Sequence, residues 1–149
     1  MRRGAVENDR AAARREGVRN ALAREGLAIP PQGLVEGEWD IAEGRKLFRR
    51  ILEVTPRPTA LICGNSMLAV GAVLEAGAAG IDVPGEMSIV GYDDIELMSE
   101  LPIPVTTVRV ASDEVGRVAA DTVLDMTEGR TVTSRRICSQ IIVRASTGP

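Results

Sequence analysis

Apolar and polar positions along this chain switch between a helical period and short continuous runs. Residues 9–25 carry Ala11, Val18, Ala21 and Leu22 at helical spacing, and Gly26 is a natural stop. Pro30 and Pro31 break the path, and residues 33–36 read as a short strand whose exit is Gly37-Glu38-Trp39. Asp40, followed at the third position by Glu43, has the form of a helix N-cap. Ile41, Leu47, Phe48, Ile51 and Leu52 make the buried face of the helix that follows, to about Val54. Pro56 and Pro58 end it, and residues 59–63 form a buried strand. Gly64-Asn65 turns the chain into a helix marked by Leu68, Ala69, Ala72, Val73 and Ala76, which Gly77 and Gly80 close. Residues 82–86 are a turn, 87–90 a central strand, 95–100 a helical turn and 106–110 a further strand. Residues 112–128 are the clearest helix: Ser112 caps it, and Val115, Val118, Ala119, Thr122, Val123 and Met126 keep the period. Residues 137–143 are the last strand. This alternation predicts an α/β fold, a parallel sheet flanked by helices.

The stretch Ser88-Ile89-Val90-Gly91-Tyr92-Asp93-Asp94 organises the rest. A strand buried on both faces cannot hold carboxylates in its middle, because an unpaired buried charge is very costly. Asp93 and Asp94 therefore sit where the strand leaves the sheet, the edge at which ligands bind in open α/β sheets. Other exits from a parallel sheet reach the same edge: Trp39, Asn65 and, on the first helix, Arg14. An indole, an amide, a carboxylate and a guanidinium together suit a small polyhydroxylated ligand. Each also has an ordinary structural reading: Asn65 as a helix cap, Trp39 as loop packing, Arg14 as a solvated helix residue, Asp93 as an Asx-turn.

Composition narrows the choice. The chain has 149 residues, 44% of them apolar and 26% charged, which is ordinary for a globular domain. A net charge of −3 leaves no basic footprint for nucleic acid. No apolar run is long enough to span a membrane, and no h-region follows the basic N-terminus, so a cytoplasmic protein is expected. Cys63 and Cys138 are far apart and read as reduced thiols. With no histidine in the chain, histidine-based triads are excluded. Gly64-Asn65-Ser66 lacks the second glycine of a nucleophile elbow, with Leu68 in its place. No catalytic residue, metal ligand or cofactor site is expected. A magnesium-dependent enzyme using the Asp93–Asp94 pair remains as a minor alternative, although Lys46, the sole lysine, lies inside a helix.

An ordered set of short motifs resembles the effector-binding portion of LacI-type bacterial transcription regulators. The set is Arg14-Arg15-Glu16-Gly17-Val18-Arg19-Asn20-Ala21-Leu22, Gly37-Glu38-Trp39, Pro58-Thr59-Ala60 leading to Gly64-Asn65, Val83-Pro84, the Ser88 to Asp94 stretch, Pro104-Val105-Thr106-Thr107-Val108 and Val143-Arg144-Ala145-Ser146-Thr147. The resemblance spans residues 10–149. It implies a periplasmic-binding-protein-like fold, mainly its C-terminal subdomain, in which Arg14, Trp39, Asn65 and Asp93 contact a sugar-like or nucleoside-like effector. Ser66 stands where the family usually has Asp, and Val110 where a glutamine is common. The resemblance begins partway through the family's fold, so the chain reads as a truncated regulator that would meet operator DNA only through a missing N-terminal domain. Residues 1–110 would be the effector-binding subdomain, with its first strand missing or degraded, and 111–149 a crossover helix and terminal strand toward the absent subdomain. The unpartnered stripe from Val115 to Met126 predicts a homodimer. A solute-binding protein of a transport system is the main alternative. Asp94 is expected to cap the turn that follows it.

Overall fold

A computed structural model describes residues 9–148; the readings made above for residues 1–8 lie outside them. The elements in chain order are α1 (Asp9–Arg24), α2 (Ile41–Leu52), β1 (Ala60–Ile62), α3 (Ser66–Ala79), β2 (Ser88–Tyr92), α4 (Leu97–Glu100), β3 (Thr106–Arg109), α5 (Ser112–Thr127) and β4 (Gln140–Ile142). The strands form one sheet in the order β1-β2-β3-β4. The first three are parallel, with Ile62 opposite Val90 and Tyr92 opposite Val108. The fourth is antiparallel to β3, with Gln140 opposite Arg109. A wholly parallel sheet is thus corrected at its last strand. The chain leaves β3 at Arg109 and returns beside it at Gln140, so β4 has to run back the other way. The terminal strand pairs with this sheet through β3.

The core lies where α3 is covered on one side by α2 and on the other by β2 and α4. Covered on both sides, α3 is apolar nearly all round, with Ala69, Val70, Ala72, Val73 and Ala76 buried. Phe48, Ile51, Met87, Ile89, Met98 and Val105 complete the cluster. Two glycines let α2 and α3 approach backbone to backbone. A methyl group on Gly71 would lie 2.8 Å from the Arg45 amide nitrogen, and one on Gly44 would lie 2.7 Å from the Leu68 carbonyl oxygen. Glu75 is the one charged side chain buried in α3. Arg49 donates to it at 2.6 and 3.0 Å, and Arg45 at 2.8 Å. The hydrogen bond from Arg49, joined by that from Arg45, holds its carboxyl at about 2.

Residues 33–36 are not a strand. The chain makes a 3-10 turn at Pro31–Gly33 and then runs without ladder bonds. Val35 still packs against the core, across a groove of about 70 Å³ from Leu61 and Ile62. It has the composition of a strand and lies beside β1 but makes no ladder with it, and β1 is left as the edge of the sheet. Beyond β4, the tail is pinned by Ser146. Its hydroxyl donates to the Ile89 carbonyl at 2.5 Å and accepts from the Thr106 amide at 2.8 Å. No helix among the described residues is long and apolar enough to cross a membrane. Both cysteines are free; Cys63 is buried and Cys138 exposed.

Candidate functional site

The parallel strands bring three chain segments to one edge: the start of α1, the end of β2, and the link from β3 to α5. They enclose an open groove of about 580 Å³ lined by Arg10, Arg14, Tyr92, Asp93, Val110 and Ser112, among others. That volume lies within the range of small-molecule sites.

Arg14 is fixed more firmly than most helix arginines. Its guanidinium carbon lies 3.8 Å from the centroid of the Tyr92 ring. It also donates a short hydrogen bond to the Gly64 carbonyl. A guanidinium stacked on an aromatic face keeps its free edge available for acceptors. The same contacts dock α1, which buries no side chain of its own. Arg15 adds a bond of 2.8 Å to Glu36.

Asp93 follows Tyr92 with φ at 80°, in the left-handed region that non-glycine residues seldom occupy. Its amide donates to the Val108 carbonyl at 3.0 Å, which anchors the backbone. Asp93 lines the groove with Arg14 and is exposed, and among the described residues no side chain donates to its carboxylate. The groove therefore offers a fixed cation, an aromatic face and a free anion, which can together recognise a neutral ligand rich in hydroxyls.

Asn65 is buried beside Gly64 and caps α3: its side-chain oxygen accepts from the Leu68 amide at 2.9 Å. The structural reading of this residue is thus real, and its amide nitrogen alone is left for other partners. Trp39 is 59% exposed and is not among the groove residues. Of the four residues singled out from the sequence, Arg14 and Asp93 share the groove, Asn65 adjoins it through Gly64, and Trp39 stands apart.

Asp94 does not cap the next turn, as expected from sequence. The short helix α4 has no side-chain cap. Instead the Asp94 carboxylate turns inward, where Arg109 Nε donates to it at 2.6 Å and Arg144 Nη1 at 2.7 Å. Burial pushes its carboxyl up, but hydrogen bonds and charge from Arg144 and Arg109 outweigh this and hold it below the usual range. With both oxygens engaged, Asp94 is not placed to share a metal with Asp93. Among the described residues no group of three or more acidic, cysteine or histidine side chains could hold one. Ser112, also read as a cap, is the first residue of α5, and Ala111 precedes it without a side-chain bond.

Sequence reasoning missed Arg10, Tyr92 and Ser112 as groove residues, and named Val110 only as a departure from the family pattern. The period of two along β2 carried the means to find Tyr92, which lies one residue before the edge.

Compared with known proteins, residues 2–147 match the family described as periplasmic binding protein-like domain. The chain belongs to that family. Its relatives within it are LacI-type transcription regulators. It is similar to the HTH-type transcriptional repressor CytR of Escherichia coli K12, 34% identical over 136 residues, covering 90% of this chain and 40% of the relative. It is similar also to the ribose operon repressor of the same strain, 34% identical over 134 residues, covering 90% and 41%. Among solved structures it resembles a LacI family transcriptional regulator from Bifidobacterium animalis subsp. lactis, with 27% identity, a TM-score of 0.86, and 93% of this chain and 50% of that one covered. The chain spans about 40% of the length of the curated relatives it matches.

Proposed function

We propose that this chain forms one wall of the effector-binding cleft of a LacI-type transcription regulator and senses a sugar-like or nucleoside-like ligand. The observation that carries this reading is the groove lined by both the Tyr92-stacked guanidinium of Arg14 and Asp93, whose carboxylate no described side chain engages. Asp93 accepts from ligand hydroxyls, Arg14 donates to ring or hydroxyl oxygens, and the Asn65 amide nitrogen adds a donor; the Trp39 indole, exposed outside this groove, would cover an apolar ligand face only from beyond it. The repressor relatives, one of them of a ribose operon, support a ligand of this class. The work of the site is binding, without catalysis or a cofactor, in the cytoplasm. A transport role draws no comparable support from these repressor relatives.

Control of transcription requires a partner subdomain and DNA contacts that this chain does not supply; with a net charge of −3 it lacks a basic stripe for phosphates. Residues 111–149 would form the crossover helix and terminal strand toward that partner, and ligand contacts that differ between open and closed clefts would bias DNA affinity. The exposed side of α5 would support a homodimer, which sedimentation velocity would reveal as a concentration-dependent shift.

The test is chemical-shift mapping of the labelled chain with D-ribose and with adenosine at millimolar concentration. Perturbations centred on Arg14, Tyr92 and Asp93 are expected for one of them. Asp93→Ala removes charge-assisted hydrogen bonds of about 1.5–3 kcal/mol each, so affinity is expected to fall at least about tenfold. Perturbations elsewhere, or unchanged affinity in Asp93→Ala, would refute the assignment.

A further inference from the structure

Two consecutive non-glycine residues, Asp93 at φ 80° and Asp94 at φ 53°, hold left-handed backbone at the edge of the groove. Such a pair persists only where its surroundings over-determine it. Asparagine and aspartate tolerate the conformation better than most residues, but tolerance does not select it. The selecting contacts are on the second aspartate. Its side chain is 4% exposed and bridges two arginines, Arg144 at 16% and Arg109 at 50% exposure. Arg144 Nη1 also donates to the Val105 carbonyl at 2.8 Å. Its backbone is tied to β3 in turn, because the Arg144 amide donates to Thr106 Oγ1 at 2.9 Å.

The position of these two arginines in the topology gives the cluster its meaning. Arg109 is the last residue of β3, where the chain departs for α5. Arg144 follows β4 shortly after the chain has come back. Asp94 therefore grips the outgoing and the returning strands at once. Val110 and Ser112, the first residues of the outgoing link, line the same groove as Asp93.

We propose that Asp94, Arg109 and Arg144 form an ionic joint that positions Asp93 in the groove and couples it to the link that carries α5. The three are positioning residues: the two arginines hold the side chain of Asp94, the residue next to Asp93 in the left-handed turn, and leave the ligand to Asp93. The proposal rests on the reading above only in taking Asp93 as the ligand-facing carboxylate. A left-handed turn alone could be made by glycine. Glycine at position 94 would free the turn and leave Arg144, the less exposed of the two arginines, without its carboxylate.

The joint can be tested without any ligand. In the labelled 149-residue chain, φ-dependent three-bond couplings report whether residues 93 and 94 keep left-handed backbone, and amide shifts report on residues 110–112. Asp94→Asn keeps shape and tolerance of the turn but removes the charge. It is expected to average the φ of residue 93 and to move the 110–112 amides together with it. Arg144→Met is expected to do the same and Arg144→Lys to restore both. A folded Asp94→Asn chain with the φ of residue 93 and the 110–112 amides unchanged would overturn the proposal, as would Arg144→Lys behaving like Arg144→Met. Should Asp94→Asn not fold, Arg109→Gln answers the same question through the more exposed arm. D-ribose and adenosine are then added to the wild-type chain and to Asp94→Asn. Perturbation at residue 93 weakened at least about fivefold supports the joint as a positioning device, and undiminished perturbation overturns it. Absence of perturbation in wild type refutes the effector reading, while the coupling measurements still decide the joint.

Discussion

Helices α3 and α5 draw their apolar residues from the same set and meet opposite fates. Both use Ala, Val, Leu and Met, but α3 carries one charged residue and is apolar nearly all round, whereas α5 carries five and keeps its apolar residues at helical spacing. α3 lies between α2 and the sheet and buries eight of its side chains or backbone positions, whereas α5 buries none. Val123 is 59% exposed and Met126 62%, and on the adjoining strand end Val143 is 73% exposed. Periodicity tells which face of a helix is apolar; only the rest of the structure supplies something to cover it. Large exposed apolar patches are in general characteristic of interaction surfaces.

Substitutions can break or sharpen this contrast. The largest effect is expected at Phe48 of α2, almost fully buried in the core that α2 forms with α3. Phe48→Ala should destabilise by about 3–5 kcal/mol through lost burial and a cavity. Urea unfolding checks this; a loss below about 1 kcal/mol would mean that the α2–α3 pair is not the core of the fold. Next come the glycines. Gly71→Ala drives a methyl group into the α2 backbone and is expected to cost about 1–3 kcal/mol.

Acid should separate the two regions in another way. Glu75 and Asp94 both have folded-state pKa values below their unfolded ones. Their contribution is therefore present above the unfolded value and is lost as pH falls through the folded value. For Glu75 that window runs from about 4.5 down to about 2. The urea midpoint should drop across it, and Glu75→Gln should flatten the drop. A profile unchanged by Glu75→Gln would show that the Arg45–Glu75–Arg49 cluster does not stabilise the α2–α3 contact.

Gly116 of α5 is the counterpart of Gly71 with the opposite sign. Nothing lies within 4 Å of a methyl group placed there. Gly116→Ala should stabilise by about 0.4–1 kcal/mol, measured as a rise in thermal midpoint. The smallest effect is expected at exposed Leu124, where Leu124→Ser should stay within about 0.5 kcal/mol. A larger loss, with a change in sedimentation, would place Leu124 in an interface.

The sheet was legible from sequence because its strands are short apolar runs bounded by Gly, Pro and Asn. The segment around Val35 misled for the same reason: its composition suits a strand, but a strand also needs a neighbour to bond with. The direction of β4 was not legible, since it depends on where the α5 link brings the chain back. Arg14 and Asp93 could be placed at one edge from topology alone. Asp93 and Asp94 could be given different roles, but the role given to Asp94 was wrong, because its partners Arg109 and Arg144 lie 15 and 50 residues away in the chain. Tyr92 went unassigned because its partner, Arg14, lies far away in the chain.

The two cysteines divide along the same line as the two helices. Cys63 lies at the end of β1, its amide bonded to the Val90 carbonyl at 2.8 Å, and burial pushes its thiol up to about 12. Cys138 stands exposed on the return from α5. At neutral pH a thiol-directed reagent meets Cys138 at every moment and Cys63 only when the sheet edge comes apart. The chain thus carries a chemical clock for its own opening: the slower modification counts excursions of the core, and the faster one serves as its built-in reference.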